Sequence, residues 1–167
     1  MKQWKKYILS TTFGLLLIAQ IILAFVFGKV NELKSDVMMW AGWIIWILSV
    51  ILGWLPILIL KRQGGVKKGE SYVHTTKIVD SGLYSILRHP QYTAGILFSL
   101  ALILISQNEY VTIMGIIAIS LMYIDILKAD KHEIEKFGDE YKEYMKRVPR
   151  INFILGIIRL LIRKRKK

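Results

Sequence analysis

The sequence predicts an all-α integral membrane protein, built as a helical bundle of four transmembrane helices followed by a C-terminal interfacial amphipathic helix. Hydrophobic residues make up 54% of the 167 residues, more than a soluble domain usually carries. They are concentrated in long uncharged runs, and the charged residues flank those runs as membrane-anchoring charges do. The length predicts a single membrane domain over residues 1–167.

The four predicted spans are apolar runs bounded by polar residues. Residues 7–27 lack charge and are long enough, as a helix, to cross a hydrocarbon core of about 30 Å. This run is too long for the apolar part of a signal peptide, and no small-residue cleavage site follows it. The other predicted spans cover residues 37–60, 91–106 and 110–127. Only three residues separate the last two, which predicts an antiparallel helical hairpin.

The C-terminal segment, residues 128–167, is first polar and then amphipathic. Residues 128–147 predict a charged helix that leaves the membrane and is interrupted near Gly138. Residues 151–162 are apolar but too short to span, and basic residues follow them. This pattern predicts an interfacial helix that binds the lipids of an anionic leaflet.

The distribution of Lys and Arg residues predicts how the chain is oriented across the membrane. Two of the 24 Lys and Arg residues lie in the connection 28–37 and none in the turn 107–109. The other 22 lie in the N-terminal tail, the loop 61–90 and the segment after residue 127. By the positive-inside rule, both termini of this multi-pass protein face the cytoplasm. The formal net charge of +12 therefore indicates membrane anchoring, and we expect no nucleic-acid partner.

The residue types exclude several kinds of site. There is no cysteine, so the chain has neither a disulfide framework nor a thiol nucleophile. The three histidines, His74, His89 and His132, lack the spacing of a zinc site, and we expect no bound metal.

One polar stretch, residues 81–95, joins the loop to the third predicted span. Arg88 and His89 directly precede Pro90, which suits the first turn of a helix. The residue before a proline is kept out of the α conformation, so a cation and an imidazole are held at a helix entrance. We interpret this arrangement of Arg88, His89 and Pro90 as part of a polar site. The alternative, a basic membrane anchor in front of a helix, explains it less well.

A second polar stretch follows the fourth predicted span. Most of its charges have the spacing of a solvated helix face. Tyr141 and Tyr144 share one face, where they are able to cover a flat ring or to pack on a membrane surface. Asp125 lies near the end of the span, where charged groups are usually paired. We expect it either to form a structural ion pair with a basic residue or to take part in the site, and we favour the ion pair.

Both stretches resemble the motifs of a known family, the isoprenylcysteine carboxyl methyltransferases, which have phospholipid N-methyltransferase relatives. The first resemblance is to Gly-x-Tyr…Arg-His-Pro-x-Tyr-x-x-Gly, carried here by Gly82, Tyr84, Arg88, His89, Pro90, Tyr92 and Gly95. The second motif is carried by Phe137, Gly138, Tyr141, Tyr144, Arg147, Val148 and Pro149. The motifs occur in the expected order, separated by the hairpin, and the resemblance covers roughly residues 72–150.

The resemblance implies an integral membrane enzyme that transfers a methyl group from S-adenosylmethionine at the cytosolic face, to a lipophilic substrate that enters from the bilayer. Where family members carry Glu-Glu, this chain has Ala129-Asp130, so Asp130 is the corresponding carboxylate and Glu133 its reserve. Arg88, Asp130 and Glu133 are the predicted catalytic residues. The predicted cofactor-binding residues are His89, Tyr92, Gly95, Tyr141, Tyr144 and Arg147, with residues 128–167 completing that site.

The chemistry of methyl transfer is consistent with these residues. Displacement at a sulfonium requires mainly positioning and charge management, and Arg147 or Arg150 is able to bind the cofactor carboxylate. A carboxylate acceptor needs only orientation by Arg88. A phenol, thiol or amine needs a base, for which His89 and Asp130 are the options. The class of acceptor stays open.

Two other functions also stay open. Sterol reductases that use NADPH have a similar C-terminal region, but they are much longer. A non-enzymatic scaffold or transporter is disfavoured because the spans contain few polar residues to line a path. The sequence does not predict the oligomeric state.

Overall fold

The computed structural model of the protein describes residues 8–165, apart from the side chain of Lys164. Throughout this range the regular elements are helical. They are α1 (Ile8–Ile21), which continues into a π-helical turn (Ile22–Val26), α2 (Asp36–Gln63), a short 3-10 helix (Gly82–Ser85), α3 (Pro90–Ser106), α4 (Glu109–Phe137), α5 (Asp139–Arg147) and α6 (Phe153–Arg165).

Within the described residues, three helical segments are long and apolar enough to cross a membrane, and the chain is an integral membrane protein. They are Ile8–Val26, Asp36–Gln63 and Glu109–Phe137, at the predicted first, second and fourth spans. The predicted third span is the apolar helix α3, which with 17 residues is shorter than these. The all-helical fold is confirmed, and the count of four spans stays a prediction. Residue 7 and the lysines before it, where the first predicted span begins, lie outside the described residues.

The polar segment predicted after residue 127 is a direct continuation of α4, which runs without a break to Phe137. Gly138 then has a φ of 60°, a left-handed conformation that glycine adopts at little cost. The chain turns at this residue and α5 begins at Asp139. The predicted interruption near Gly138 is therefore confirmed.

The chain divides into two compact units. The first comprises the described residues up to Ile51 together with Ala94–Leu127. The second comprises Leu52–Thr93 and the described residues from Lys128 onward. Three helices, α2, α3 and α4, contribute residues to both units. The prediction of a single membrane domain stays a prediction.

Glycines allow close helix packing within the first unit. A Cβ atom on Gly42 of α2 would lie 2.7 Å from Cγ1 of Ile105 and 2.9 Å from its backbone nitrogen. A Cβ atom on Gly95 of α3 would lie 2.8 Å from Cε of Met122 and 3.0 Å from Cζ of Phe13. Small residues at such positions let membrane helices approach until dispersion contacts stabilise them.

Polar groups of the first unit are paired with one another. The fully buried Gln20 donates from its amide nitrogen to the Val111 carbonyl at 3.0 Å, and its amide oxygen accepts from the Ser99 hydroxyl at 2.9 Å. Near the hairpin turn, the Gln107 amide and the backbone of Ser35 exchange hydrogen bonds of 3.1 and 2.8 Å. Such pairing offsets the cost of removing polar groups from water.

Asp125 has a different partner from the predicted basic residue. Its Oδ2 accepts a 2.9 Å hydrogen bond from the hydroxyl of Ser10, and no ion pair to Asp125 occurs among the described residues. A neutral hydroxyl on α1 thus supplies the donor found among the described residues, and the basic partner stays a prediction. Both residues belong to the first unit.

Replacing Gly42 by Ala tests the packing of α2 on α3. The added methyl group would overlap Ile105, so the helices must move apart. We expect the free energy of unfolding to fall by about 1–3 kcal/mol, measured by thermal unfolding in detergent. Gly14→Ala is the matched control, since nothing lies within 4 Å of its added Cβ atom and alanine favours a helix. Equal unfolding midpoints in the two variants would contradict the close packing.

Candidate active site

Backbone hydrogen bonds join the two polar stretches within the second unit. The backbone N–H of Arg88 donates to the Pro149 carbonyl at 3.1 Å, and that of His89 donates to the Arg150 carbonyl at 3.2 Å. Val148, next to this pairing, is fully buried. Residues before α3 therefore lie beside residues after α5, although some sixty positions separate them in the sequence.

Tyrosine side chains reinforce this contact. The hydroxyl of Tyr144 donates a 2.6 Å hydrogen bond to the backbone carbonyl of Tyr84, and both residues are buried. Burial raises the pKa of the Tyr144 phenol well above its usual value. The phenol therefore stays neutral at physiological pH and keeps the proton that this hydrogen bond requires.

Asp130 of α4 lies at the centre of the site, and only 4% of its surface is exposed. Four side chains surround the carboxylate. Its Oδ1 lies 3.0 Å from Arg88 Nη1, 2.7 Å from His89 Nε2 and 2.9 Å from Tyr141 Oη, and its Oδ2 lies 2.7 Å from Arg150 Nε. Because an ionised carboxylate only accepts hydrogen bonds, Nε2 of His89 carries the hydrogen in this contact.

Three of these donors face Oδ1 and one faces Oδ2, so the protein uses most of the acceptor capacity of the carboxylate. Two of the donors, on Arg88 and Arg150, are permanently charged, so they favour the ionised form of Asp130. The carboxylate is therefore occupied by contacts inside the protein, and it orients the side chains around it.

The rings of Tyr141 and Tyr144 pack edge-on inside the unit, with centroids 5.7 Å apart. The guanidinium carbon of Arg88 lies 5.9 Å from the centroid of the Tyr141 ring, within the range of a cation–π contact. Burial, and then the neighbouring Asp130 carboxylate, raise the pKa of the Tyr141 phenol. The two tyrosines are buried, so the alternative that they pack on a membrane surface is wrong.

Two polar groups of the site retain capacity for a ligand. The Nε atom of Arg88 is buried and has no hydrogen-bond partner among the described residues. Glu133 is half-buried, and within the described part of the chain its carboxylate makes no hydrogen bond or ion pair. It lies three residues after Asp130 on α4, so the two carboxylates share one face of that helix. A buried donor and a nearby acceptor are thus both available.

The remaining predicted site residues lie in different surroundings. The Tyr92 ring packs edge-on against the His89 ring, with centroids 5.6 Å apart. Arg147 is exposed and pairs with Asp80 at 3.2 Å, outside the group around Asp130. Gly95 belongs to the first unit, where it allows the close helix packing described above. The predicted roles of these residues in cofactor binding stay predictions.

Arg150 is a site residue that the motifs alone do not indicate. The sequence offers it as an alternative to Arg147 for binding the cofactor carboxylate, and in the structure Arg150 contacts Asp130 whereas Arg147 does not. The available signal was its position after Pro149. This proline ends the α5 region, so the residue that follows no longer lies on the solvated helix face.

The fold and the site define a helical membrane protein with a buried ionic group formed by residues of both polar stretches. Residues 37–140 match the phospholipid methyltransferase family, and the chain belongs to this family. The resemblance to the isoprenylcysteine carboxyl methyltransferases is confirmed by this match and by the first of the relatives below.

Two curated proteins are similar to parts of the chain. Protein-S-isoprenylcysteine O-methyltransferase B of Arabidopsis thaliana is 27% identical over 100 residues, which cover 54% of this chain and 51% of that protein. Cobalt-zinc-cadmium resistance protein CzcN of Cupriavidus metallidurans is 32% identical over 72 residues, which cover 43% of this chain and 33% of that protein. The chain thus spans about half the length, or less, of these relatives. No solved structure matches it.

Replacing Asp130 by Asn tests whether its charge organises the site. The variant would leave two guanidinium groups beside a neutral amide, one of them buried, and we expect a loss of about 3–5 kcal/mol in the free energy of unfolding. Chemical unfolding in detergent measures this loss.

Asp139→Asn is the matched control, because Asp139 is an exposed carboxylate that pairs with Lys142 on the surface of α5. We expect its unfolding curve to superimpose on that of the wild type. If the two variants unfold alike, Asp130 does not hold the site together.

Proposed function

We propose that the protein is an S-adenosylmethionine-dependent methyltransferase that modifies a lipophilic acceptor at the cytosolic face of the membrane. Membership of the phospholipid methyltransferase family supports methyl transfer. The observation that carries the proposal is the arrangement around Asp130, which joins residues of both motifs in one buried group.

The donor set fits the amino-acid end of this cofactor. A carboxylate requires donors, and Arg88 has a buried Nε without a partner among the described residues, while the Arg150 side chain is 28% exposed. An ammonium group requires an acceptor, and Glu133 has one available. S-adenosylmethionine, when bound, supplies a methyl group activated by its sulfonium. The chain contributes charge pairing and orientation to that reaction.

Asp130 and Glu133 then have different tasks. Asp130 acts as a positioning residue, since its four contacts hold Arg88 and His89 in place. Glu133 is the carboxylate that contacts the cofactor. This division accounts for the Ala129-Asp130 departure from the family Glu-Glu, because one carboxylate is sufficient for the internal contacts.

The residues at the site also bear on the acceptor. A carboxylic acid is already a nucleophile and needs only to be oriented, for which Arg88 is suited. A phenol, thiol or amine must lose a proton. With the hydrogen on Nε2, the neutral imidazole of His89 has Nδ1 as its basic nitrogen. His89 is therefore favoured over Asp130 as the base for acceptors of that kind, since the protein already uses most of the Asp130 acceptor capacity. The family match does not favour the NADPH-dependent reductase or the scaffold.

Binding of S-adenosylhomocysteine tests the cofactor. We expect isothermal titration into the detergent-purified protein to give micromolar affinity, and no binding of NADPH. Glu133→Gln should weaken binding by about tenfold or more, because it removes a charged acceptor. Glu135→Gln, an exposed carboxylate on the same helix, should leave the affinity unchanged. Binding of NADPH in place of the homocysteine derivative would establish the reductase instead.

Transfer of a radioactive methyl group tests the acceptor. We expect membranes that contain the protein to incorporate label from S-adenosylmethionine into the organic-extractable fraction, and Arg88→Gln to lower that incorporation by about tenfold or more. Release of the label as volatile methanol in mild base identifies a carboxylate acceptor, whereas stable label identifies a phenol, thiol or amine. Label found only in water-soluble products would contradict a lipophilic acceptor.

A further inference from the structure

The arginines of α6 face the protein. Arg163 donates from Nη2 to the Ser85 carbonyl at 2.8 Å, and Arg159 donates from Nη1 to the Lys146 carbonyl at 3.3 Å. Gly156 lies on the same helix face, three and seven positions before them. A side chain at Gly156 would place its Cβ atom 2.1 Å from the Ile86 carbonyl oxygen. This face of α6 is therefore fitted to the backbone of the second unit.

The opposite face of α6 is an exposed aliphatic stripe. It is formed by Ile154, Ile158, Leu161 and Ile162, and each side chain is at least about half exposed, up to 73% for Ile154. Ile158, Leu161 and Ile162 follow Ile154 by four, seven and eight positions, which places the four residues on one face of the helix. Arg159 lies between them in the sequence but belongs to the opposite face. A continuous apolar surface of this kind indicates contact with a membrane or another molecule.

A basic run follows the stripe. Residues 164–167 are Lys-Arg-Lys-Lys, which is complementary to the anionic headgroups of a lipid leaflet. The protein is already in a bilayer through its spanning helices, so α6 meets lipid at a high effective concentration. A second copy of the chain would instead bring another basic run to the same surface. The charges therefore favour lipid over self-association.

We propose that α6 is a membrane-surface clamp: its aliphatic stripe inserts into an anionic leaflet, while Gly156, Arg159 and Arg163 hold the segment that carries Arg88 and His89. The arginines serve the protein backbone, and the lipid contact is made by the aliphatic side chains. This differs from an interfacial helix whose middle arginines bind headgroups. The inference does not depend on the methyl-transfer reaction.

Helix α6 contacts two of the segments that supply donors to Asp130. Ser85 and Ile86 directly precede the Leu87-Arg88-His89 segment, and α6 contacts the backbone of both. Lys146 lies at the end of α5, the helix that carries Tyr141. Insertion of α6 into lipid would thus restrict both segments that supply donors to Asp130. The position of Arg88 becomes linked to the lipid surface.

Fluorescent labelling tests the insertion, and the absence of cysteine permits a single label at a chosen position. Ile158→Cys places the label on the stripe, and Glu140→Cys, on the exposed surface of α5, is the matched control. Both are labelled with nitrobenzoxadiazole and reconstituted in phosphatidylcholine vesicles with or without phosphatidylglycerol.

We expect the label at position 158 to shift its emission to shorter wavelength and to resist an aqueous quencher, more strongly in the anionic vesicles. The label at position 140 should show neither effect. Equal quenching at both positions would overturn the proposal. Protection at 158 that disappears when the protein is diluted among empty vesicles would also overturn it, because it would assign the stripe to a second copy of the chain.

Hydrogen exchange tests the link to the site. Arg163→Gln removes the donor to Ser85, whereas Arg165→Gln changes the same charge at an exposed position of α6. We expect the amides of residues 82–89 to exchange about tenfold faster in the first variant and at the wild-type rate in the second. Equal exchange in the two variants would overturn the clamp, and neither measurement needs a cofactor or substrate.

Discussion

One buried carboxylate, Asp130, determines the geometry of the candidate site. Removing an ion from water costs several kcal/mol, and only opposite charges with good hydrogen-bond geometry offset that cost. Arg88 and Arg150 supply the charges, and His89 and Tyr141 add two further contacts to Oδ1. These donors come from the segment before α3, from α5 and from the segment after α5. A single side chain of α4 therefore holds three separate parts of the second unit together.

This arrangement separates two tasks that adjacent carboxylates would otherwise share. Asp130 is used by internal contacts, so in our proposal the ligand-binding carboxylate is Glu133, one helical turn further along α4. The two arginines near Pro149 are also divided between different surroundings. Arg150 belongs to the buried group, whereas Arg147 pairs with Asp80 in solvent, where an ion pair contributes little to stability.

In our proposal, the C-terminal helix α6 links the same network to the lipid surface. Its inward face meets backbone carbonyl groups next to Arg88 and at the end of α5, and its outward face is aliphatic. For the proposed methyltransferase, such a link would complete the site at the surface where a lipophilic acceptor is found.

The sequence by itself determined the helical class and the interruption at Gly138, because hydrophobic run length and local backbone preference are encoded within a few residues. That the two motifs form one site was implied by the family resemblance. It did not determine which cation meets Asp130: the place of Arg150 after Pro149 distinguishes it from Arg147, but only the turn after α5 directs one inward and the other to solvent. Nor did it reveal that Ser10 is the partner of Asp125, or that the arginines of α6 face the protein. Each of these depends on contacts between residues distant in sequence, and such contacts are decided by packing, which only the tertiary structure contains.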